Sequence, residues 1–126
     1  MMPHKIIIVG DMAAQDVRMA LVKVAQWHEI AELDREKTVL LDVRDKAERR
    51  SGSIPDSIHI PLPQLRVHLD ELPAPGDREI IVYCRSGQRS YYACRILSQH
   101  GFQVRNLTGS YRTWKVAQEA EVRAAD

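Results

Sequence analysis

EIIVYCRSGQRSYYACRIL, Glu79 to Leu97, runs from an apolar stretch through a cysteine and a short polar loop into a helix-like segment. The run Ile80–Tyr83 reads as the body of a strand, Glu79–Cys84, apolar enough to be buried on both faces. Ser86 and Gly87 are small, so the loop after Cys84 can curl with its N–H groups turned inward, an anion-binding concavity. The pattern from Arg89 to His100 reads as a helix, closed by Gly101. A strand that ends in Cys84 and passes at once into a helix puts that cysteine at the strand's carboxyl end, where open α/β sheets gather their ligands.

Outward from this unit the same alternation continues. Further strands are expected at Ile6–Val9, Thr38–Val43, Ser57–Ile60 and Gln103–Leu107. Helices are expected at Asp11–Val24, Ile30–Leu33, Asp45–Arg50, Pro63–Leu72 and Ser110–Val122, with PAPGD, Pro73–Asp77, as a turn-rich linker. The sequence therefore predicts an α/β fold, a central, mainly parallel five-stranded sheet with helices on both faces. We expect a strand and helix extension over residues 1–24 and one domain over residues 25–126.

Composition narrows the function classes. A chain of 126 residues can bury about two-thirds of its unfolded surface without metals or staples. A net charge of +1 gives no reason to expect nucleic acid. No apolar run approaches the ~18 residues of a membrane span. The amino end has neither the apolar length nor the cleavage site of a secretory signal. Its IIIVGDM carries only Gly10 of a dinucleotide fingerprint, so no nucleotide site is expected there. The two cysteines, Cys84 and Cys94, are read as thiols in a reducing cytoplasm. His4, His28, His59, His68 and His100 show no metal-ligand spacing, and the expectation is neither metal nor cofactor.

The chemistry lies in the loop. A thiol is a weak nucleophile until it ionises, with a pKa of about 8.5 when free. The N–H groups of Arg85–Ser90 and the start of the following helix would face the Cys84 thiolate. A helix N-terminus favours an anion by roughly 0.3–1 kcal/mol, and a nearby arginine by a similar amount. At about 1.4 kcal/mol per pH unit, the two together would lower the thiol by roughly half to one and a half pH units. The loop reads as an anion cradle with a nucleophile at its base. Cys94 sits among Ala93, Ile96 and Leu97 and reads as core; Trp27 and Trp114 read as core or rim aromatics, and at least one of Tyr91 and Tyr92 as helix packing.

LLDVR (Leu40–Arg44), SGSIPDSIHIPL (Ser51–Leu62), IIVYCRSGQRS (Ile80–Ser90) and NLTGSYRTW (Asn106–Trp114) resemble the successive motifs of a single rhodanese domain, in that family's order and spacing. The resemblance implies a sulfurtransferase. Cys84 would accept a sulfane sulfur from thiosulfate, a persulfide or a polysulfide, then pass it to a thiol or cyanide. Arg85, Ser86, Gly87, Gln88, Arg89 and Ser90 would bind the anionic substrate, Arg85 and Arg89 facing it directly. Asp42, Arg44 and Glu48 would support the loop. The sequence departs from the family pattern at Ser53 (usually histidine), Asp56 and Ser110 (usually glycine) and His59 (commonly asparagine). All four lie outside the Cys84 loop, which puts loop packing in question more than chemistry.

DMAAQDVRMALVKVAQWHEI, Asp11–Ile30, is similar to the junction at which flavin-dependent CoA-disulfide reductases or NADH oxidases enter a fused rhodanese domain. That similarity implies a separate flavoprotein disulfide reductase as a partner; an amphipathic helix covering the sheet is the simpler alternative. Two other functions stay open. One is a persulfide carrier or partner-binding module without turnover. The other, a phosphatase or arsenate reductase, is disfavoured because the six-residue loop CRSGQR has the size that sulfur-handling members of the fold use.

Overall fold

The computed structural model describes residues 22–125, and the expected strand Ile6–Val9 and most of the helix Asp11–Val24 lie outside them. Among them five strands form one sheet: β1 (Val24–Ala25), β2 (Thr38–Asp42), β3 (Ile58–His59), β4 (Glu79–Tyr83) and β5 (Val104–Leu107). Their order is β1-β5-β4-β2-β3 and every pairing is parallel. Among the described residues three α-helices accompany them: α1 (Lys46–Ser51), α2 (Gln88–Gln99) and α3 (Ser110–Ala125). The expected "mainly parallel" sheet is wholly parallel among the described residues.

Three expectations need correction. Val24 ends no helix; it belongs to the edge strand β1, which pairs Val24 with Asn106 and Ala25 with Leu107. Pro63–Leu72 is not one helix but two 3-10 turns, Leu62–Val67 and Leu69–Glu71, separated at His68. The break falls at His68, whose φ of −123° and ψ of 22° depart from helical geometry. Ile30–Leu33 likewise becomes a 3-10 turn, Trp27–Glu32.

The period-2 alternation of β4 sorts the core into two layers. Ile80 and Val82 point with Leu41, Val43 and Cys84 toward Ala93, Cys94, Ile96 and Leu97 of α2, and toward Leu65 and Leu72 of the 3-10 turns. Ile81 and Tyr83 point the other way with Leu40, Ala25 and Leu107, toward Ile30, Ile54 and the α3 residues Tyr111 and Trp114. Helices therefore cover both faces. β4 lies in the middle of the sheet and is buried along almost its whole length, as its continuous apolar run requires.

Parallel registry brings the strand ends to one edge. Asp42 is opposite Tyr83, and Asn106 opposite Val82. Cys84, one residue past β4, is thus flanked by the ends of β2 and β5. Two further bonds stitch this edge to α3: Tyr111 N–H donates to Cys84 O at 3.0 Å and Arg112 N–H to Arg85 O at 3.1 Å.

Candidate active site

Cys84 ends the buried strand, and the chain turns through Arg85–Gly87 into α2. Gly87 is the N-cap of that helix at φ 116°, a conformation that favours glycine. It offers no capping side chain, so the first amides of α2 are left for another acceptor. That acceptor is sulfur. Gly87 N–H donates to Cys84 Sγ at 3.1 Å, and the Ser90 hydroxyl is 3.4 Å from the same atom.

Cys84 is only 1% exposed, and burial alone pushes its thiol up. The Ser90 hydroxyl and the backbone N–H groups of Ser90, Gly87 and Ser86 outweigh burial and hold the thiol below its ordinary value. Arrays of N–H donors around a sulfur stabilise the anion over the neutral form, and that is the arrangement here. Cys94, in contrast, is buried without such donors. Burial, with a smaller contribution from the Cys84 charge, pushes it up to about 12, so it stays protonated and packed among apolar side chains.

The two loop arginines are placed differently. Arg89 clamps Glu48 with both terminal nitrogens, at 2.6 and 2.8 Å. Its positive charge is still near enough for Cys84 to raise it slightly, after the larger effect of Glu48 and against burial. Arg85 is exposed, as are Ser86 and Gln88; Ser86 contributes its backbone rather than its side chain. Glu48 sits where Asp45 N-caps α1: Glu48 N–H donates to Asp45 Oδ1 at 2.8 Å and Asp45 N–H returns to Glu48 Oε1 at 3.2 Å. The Arg89 hydrogen bonds lower Glu48 to about 2, against a smaller opposing push from burial. One carboxylate thus caps α1 and ties it to the cysteine loop.

Asp42 and Arg44 form the floor of this corner. Arg44 holds Asp42 through Nε at 3.0 Å and Nη2 at 2.8 Å, and Nη2 also reaches Gly52 O at 2.7 Å. Its guanidinium lies 4.2 Å from the centre of the Tyr111 ring. Arg49, not anticipated from the sequence, completes the cluster by donating to Asp42 Oδ2 at 3.2 Å and to Ser57 Oγ at 2.7 Å. His59, one of the departures, lies 2.7 Å from Arg44 O through Nε2.

Two further residues were missed. Asn106 of β5 accepts from the Ser90 hydroxyl at 2.6 Å and donates to Gly87 O at 3.1 Å, so it holds the loop at both ends. Ser110, treated as remote because it lies outside the loop in sequence, accepts a hydrogen bond from Cys84 N–H at 3.2 Å. Its Oγ is 4.0 Å from Cys84 Sγ.

A prediction follows from this donor set. Ser90→Ala should move the pH midpoint of Cys84 alkylation upward, because the thiolate loses its side-chain donor. Arg89→Ala should move it less, since that guanidinium is held by Glu48. Rates of iodoacetamide modification against pH read both shifts, and a larger shift for the arginine variant would reverse the assignment.

This site belongs to a known class. Residues 27–117, more than half the chain, match the rhodanese-like domain family, and the chain is a member of that family. It has sulfurtransferase relatives. A protein named sulfurtransferase from Allochromatium vinosum is 42% identical over 82 residues, 64% of this chain and 75% of that one. The human thiosulfate:glutathione sulfurtransferase is 30% identical over 88 residues, 60% of this chain and 76% of that one. Among solved structures, reduced Bacillus anthracis CoADR-RHD superposes with a TM-score of 0.69 at 38% identity, covering 75% of this chain but 17% of the other. No described helix is long and apolar enough to cross a membrane.

Proposed function

We propose that the chain is a sulfurtransferase that moves a sulfane sulfur from thiosulfate, a persulfide or a polysulfide to a thiol or cyanide through a persulfide on Cys84. The reading rests on one observation above all: the Cys84 sulfur lies at the base of a loop whose N–H groups and Ser90 hydroxyl hold it below its ordinary pKa. The thiolate attacks the sulfane sulfur of thiosulfate; the S–S bond breaks and sulfite leaves with its electron pair. The outer sulfur of the persulfide is also anionic, so the same cradle suits the intermediate. The acceptor then attacks that outer sulfur, giving thiocyanate or a new persulfide and returning Cys84 as thiolate.

In this reading Ser86, Gly87 and Ser90 hold the anion, Gln88 and Arg85 border the loop entrance, and Arg89 supplies charge from its place on Glu48. Asp42 and Arg44 fix the corner against which the loop folds. A cleft of about 530 Å³ is lined by Arg44, Arg85, Arg112 and Lys115, with Glu48 and Glu119 among its walls.

A second reading is kept because the match to CoADR-RHD spans only a small part of that longer chain. The domain would then carry persulfide to or from a separate disulfide reductase without turning over alone. Mass spectrometry after incubation with thiosulfate, glutathione persulfide or polysulfide tests the sulfurtransferase reading. The expected result is one added sulfur on the Cys84 peptide, released by cyanide and renewed over many cycles. A single stoichiometric load without turnover favours the carrier, and no added sulfur on Cys84 overturns both.

A further inference from the structure

Ser110 stands in a left-handed backbone conformation, φ 53°, that among the described residues only one other non-glycine residue, Asp56, shares. Glycine would adopt this geometry without the steric conflict a Cβ brings. Serine is held there by contacts of its hydroxyl, and it is fully buried. Oγ accepts from Cys84 N–H at 3.2 Å, donates to Leu107 O at 3.2 Å, and lies 3.5 Å from Ser90 Oγ and 4.0 Å from Cys84 Sγ. A strained backbone at a serine whose side chain surrounds the reacting cysteine points to a role for the hydroxyl.

Counting protons sharpens that role. A hydroxyl has one proton to donate. The Ser90 proton is drawn chiefly to Asn106 Oδ1 at 2.6 Å, so the 3.4 Å contact gives Sγ only a partial share of it. A neutral Cys84 S–H tolerates this, because it can itself donate to Ser90 Oγ. An anionic sulfur cannot donate, and it is held better with a second hydroxyl proton turned toward it. Of the two hydroxyls in reach, Ser110 gives up the weaker bond, 3.2 Å to Leu107 O, to supply one. The proton stays on oxygen; only the O–H direction changes.

We infer that Ser110 is a positioning residue of the sulfur site, fixing Cys84 through its backbone N–H in the thiol state and turning its hydroxyl onto Sγ when the sulfur is anionic. This takes Cys84 as the reacting sulfur, as proposed above. The titratable groups that act on it from the packed elements are Arg89, clamped to Glu48, and Cys94, held neutral by burial; neither competes for the Ser110 proton.

Ser110→Gly and Ser110→Ala separate this role from a purely structural one. Both remove the hydroxyl, but only glycine relieves the backbone, so the glycine variant should melt at or above the temperature of the alanine variant. In a Cys94→Ser background, both should raise the midpoint of Cys84 alkylation by about half a pH unit, roughly a threefold loss of thiolate at a given pH below it. If alanine prevents folding, the glycine variant alone carries the measurement. Alkylation profiles coincident with wild type in the folded variants overturn the inference. Because alkylation needs no sulfur donor, a shifted profile beside an absence of sulfur uptake would sink the transferase reading and leave the assignment of Ser110 intact.

Discussion

Cys84→Ser is expected to abolish sulfur transfer, by more than about a thousandfold, while leaving the fold in place. The oxygen that replaces sulfur stays protonated at neutral pH and can neither attack a sulfane sulfur nor carry one. The surroundings tolerate it: Gly87 N–H and the Ser90 hydroxyl can bond an oxygen as readily as a sulfur. Cys94→Ser is the matched control. Its thiol, pushed up to about 12, is protonated under working conditions and makes a poor resolving group, so transfer should persist. The cost should fall on stability, roughly 1–3 kcal/mol for a hydroxyl buried in an apolar cluster. Thiocyanate formation from thiosulfate and cyanide, together with thermal melts, reads both. Loss of transfer in a well-folded Cys94 variant, with the Cys84 variant active, would exchange the two roles.

The parts legible in the sequence are those whose signal is local. A continuous apolar strand, a cysteine, small loop residues and a helical pattern are consecutive from Glu79 to Leu97, and the structure keeps them in that sense, β4 passing through the loop into α2. Asp45 with Glu48 three residues on is likewise a local pattern, and it forms the reciprocal cap of α1. The inward-turned amides were foreseeable for the same reason, since Gly87 alone can take the required φ at the N-cap.

What was illegible depends on registry between distant strands. Asn106 has no local feature marking it as the partner of Ser90; it arrives there because β5 pairs with β4 so that Asn106 sits beside Val82. Ser110 follows from the same register, carried one turn beyond the strand. The edge strand β1 has only two residues, and Val24 is 52% exposed, so no apolar alternation announces it. Arg89 shows a third kind of non-local dependence. Sequence can place Arg89 in the loop, yet its guanidinium is clamped by Glu48, 41 residues away.

Asp42→Ala should cause the largest loss of stability of any single change at this corner, roughly 3–5 kcal/mol. Asp42 is fully buried and Arg44 nearly so, with Arg49 as a second, half-buried partner. Removing the carboxylate leaves the buried Arg44 guanidinium without its one direct ionic partner, held by Gly52 O and the Tyr111 face. A melting temperature lower by on the order of 10–20 °C is the expected reading for a domain of this size. Arg49→Ala should cost far less, because Asp42 keeps its two bonds to Arg44. The pH dependence has a definite sign. Burial raises the Asp42 carboxyl, but the hydrogen bonds from Arg44, its charge and Arg49 outweigh it and leave the folded value below 3.8. The ion pair therefore contributes fully above that unfolded value and is lost as pH falls through the folded one. Glu48 acts in the same direction, its contribution fading between 4.5 and about 2, though its partly exposed pair with Arg89 is weakened by solvent screening. The stability gap between wild type and Asp42→Ala should hence be widest near neutrality and should narrow in acid. A gap that stays constant from pH 7 to about 2.5 would mean the variant loses packing alone, and the corner would owe nothing to charge.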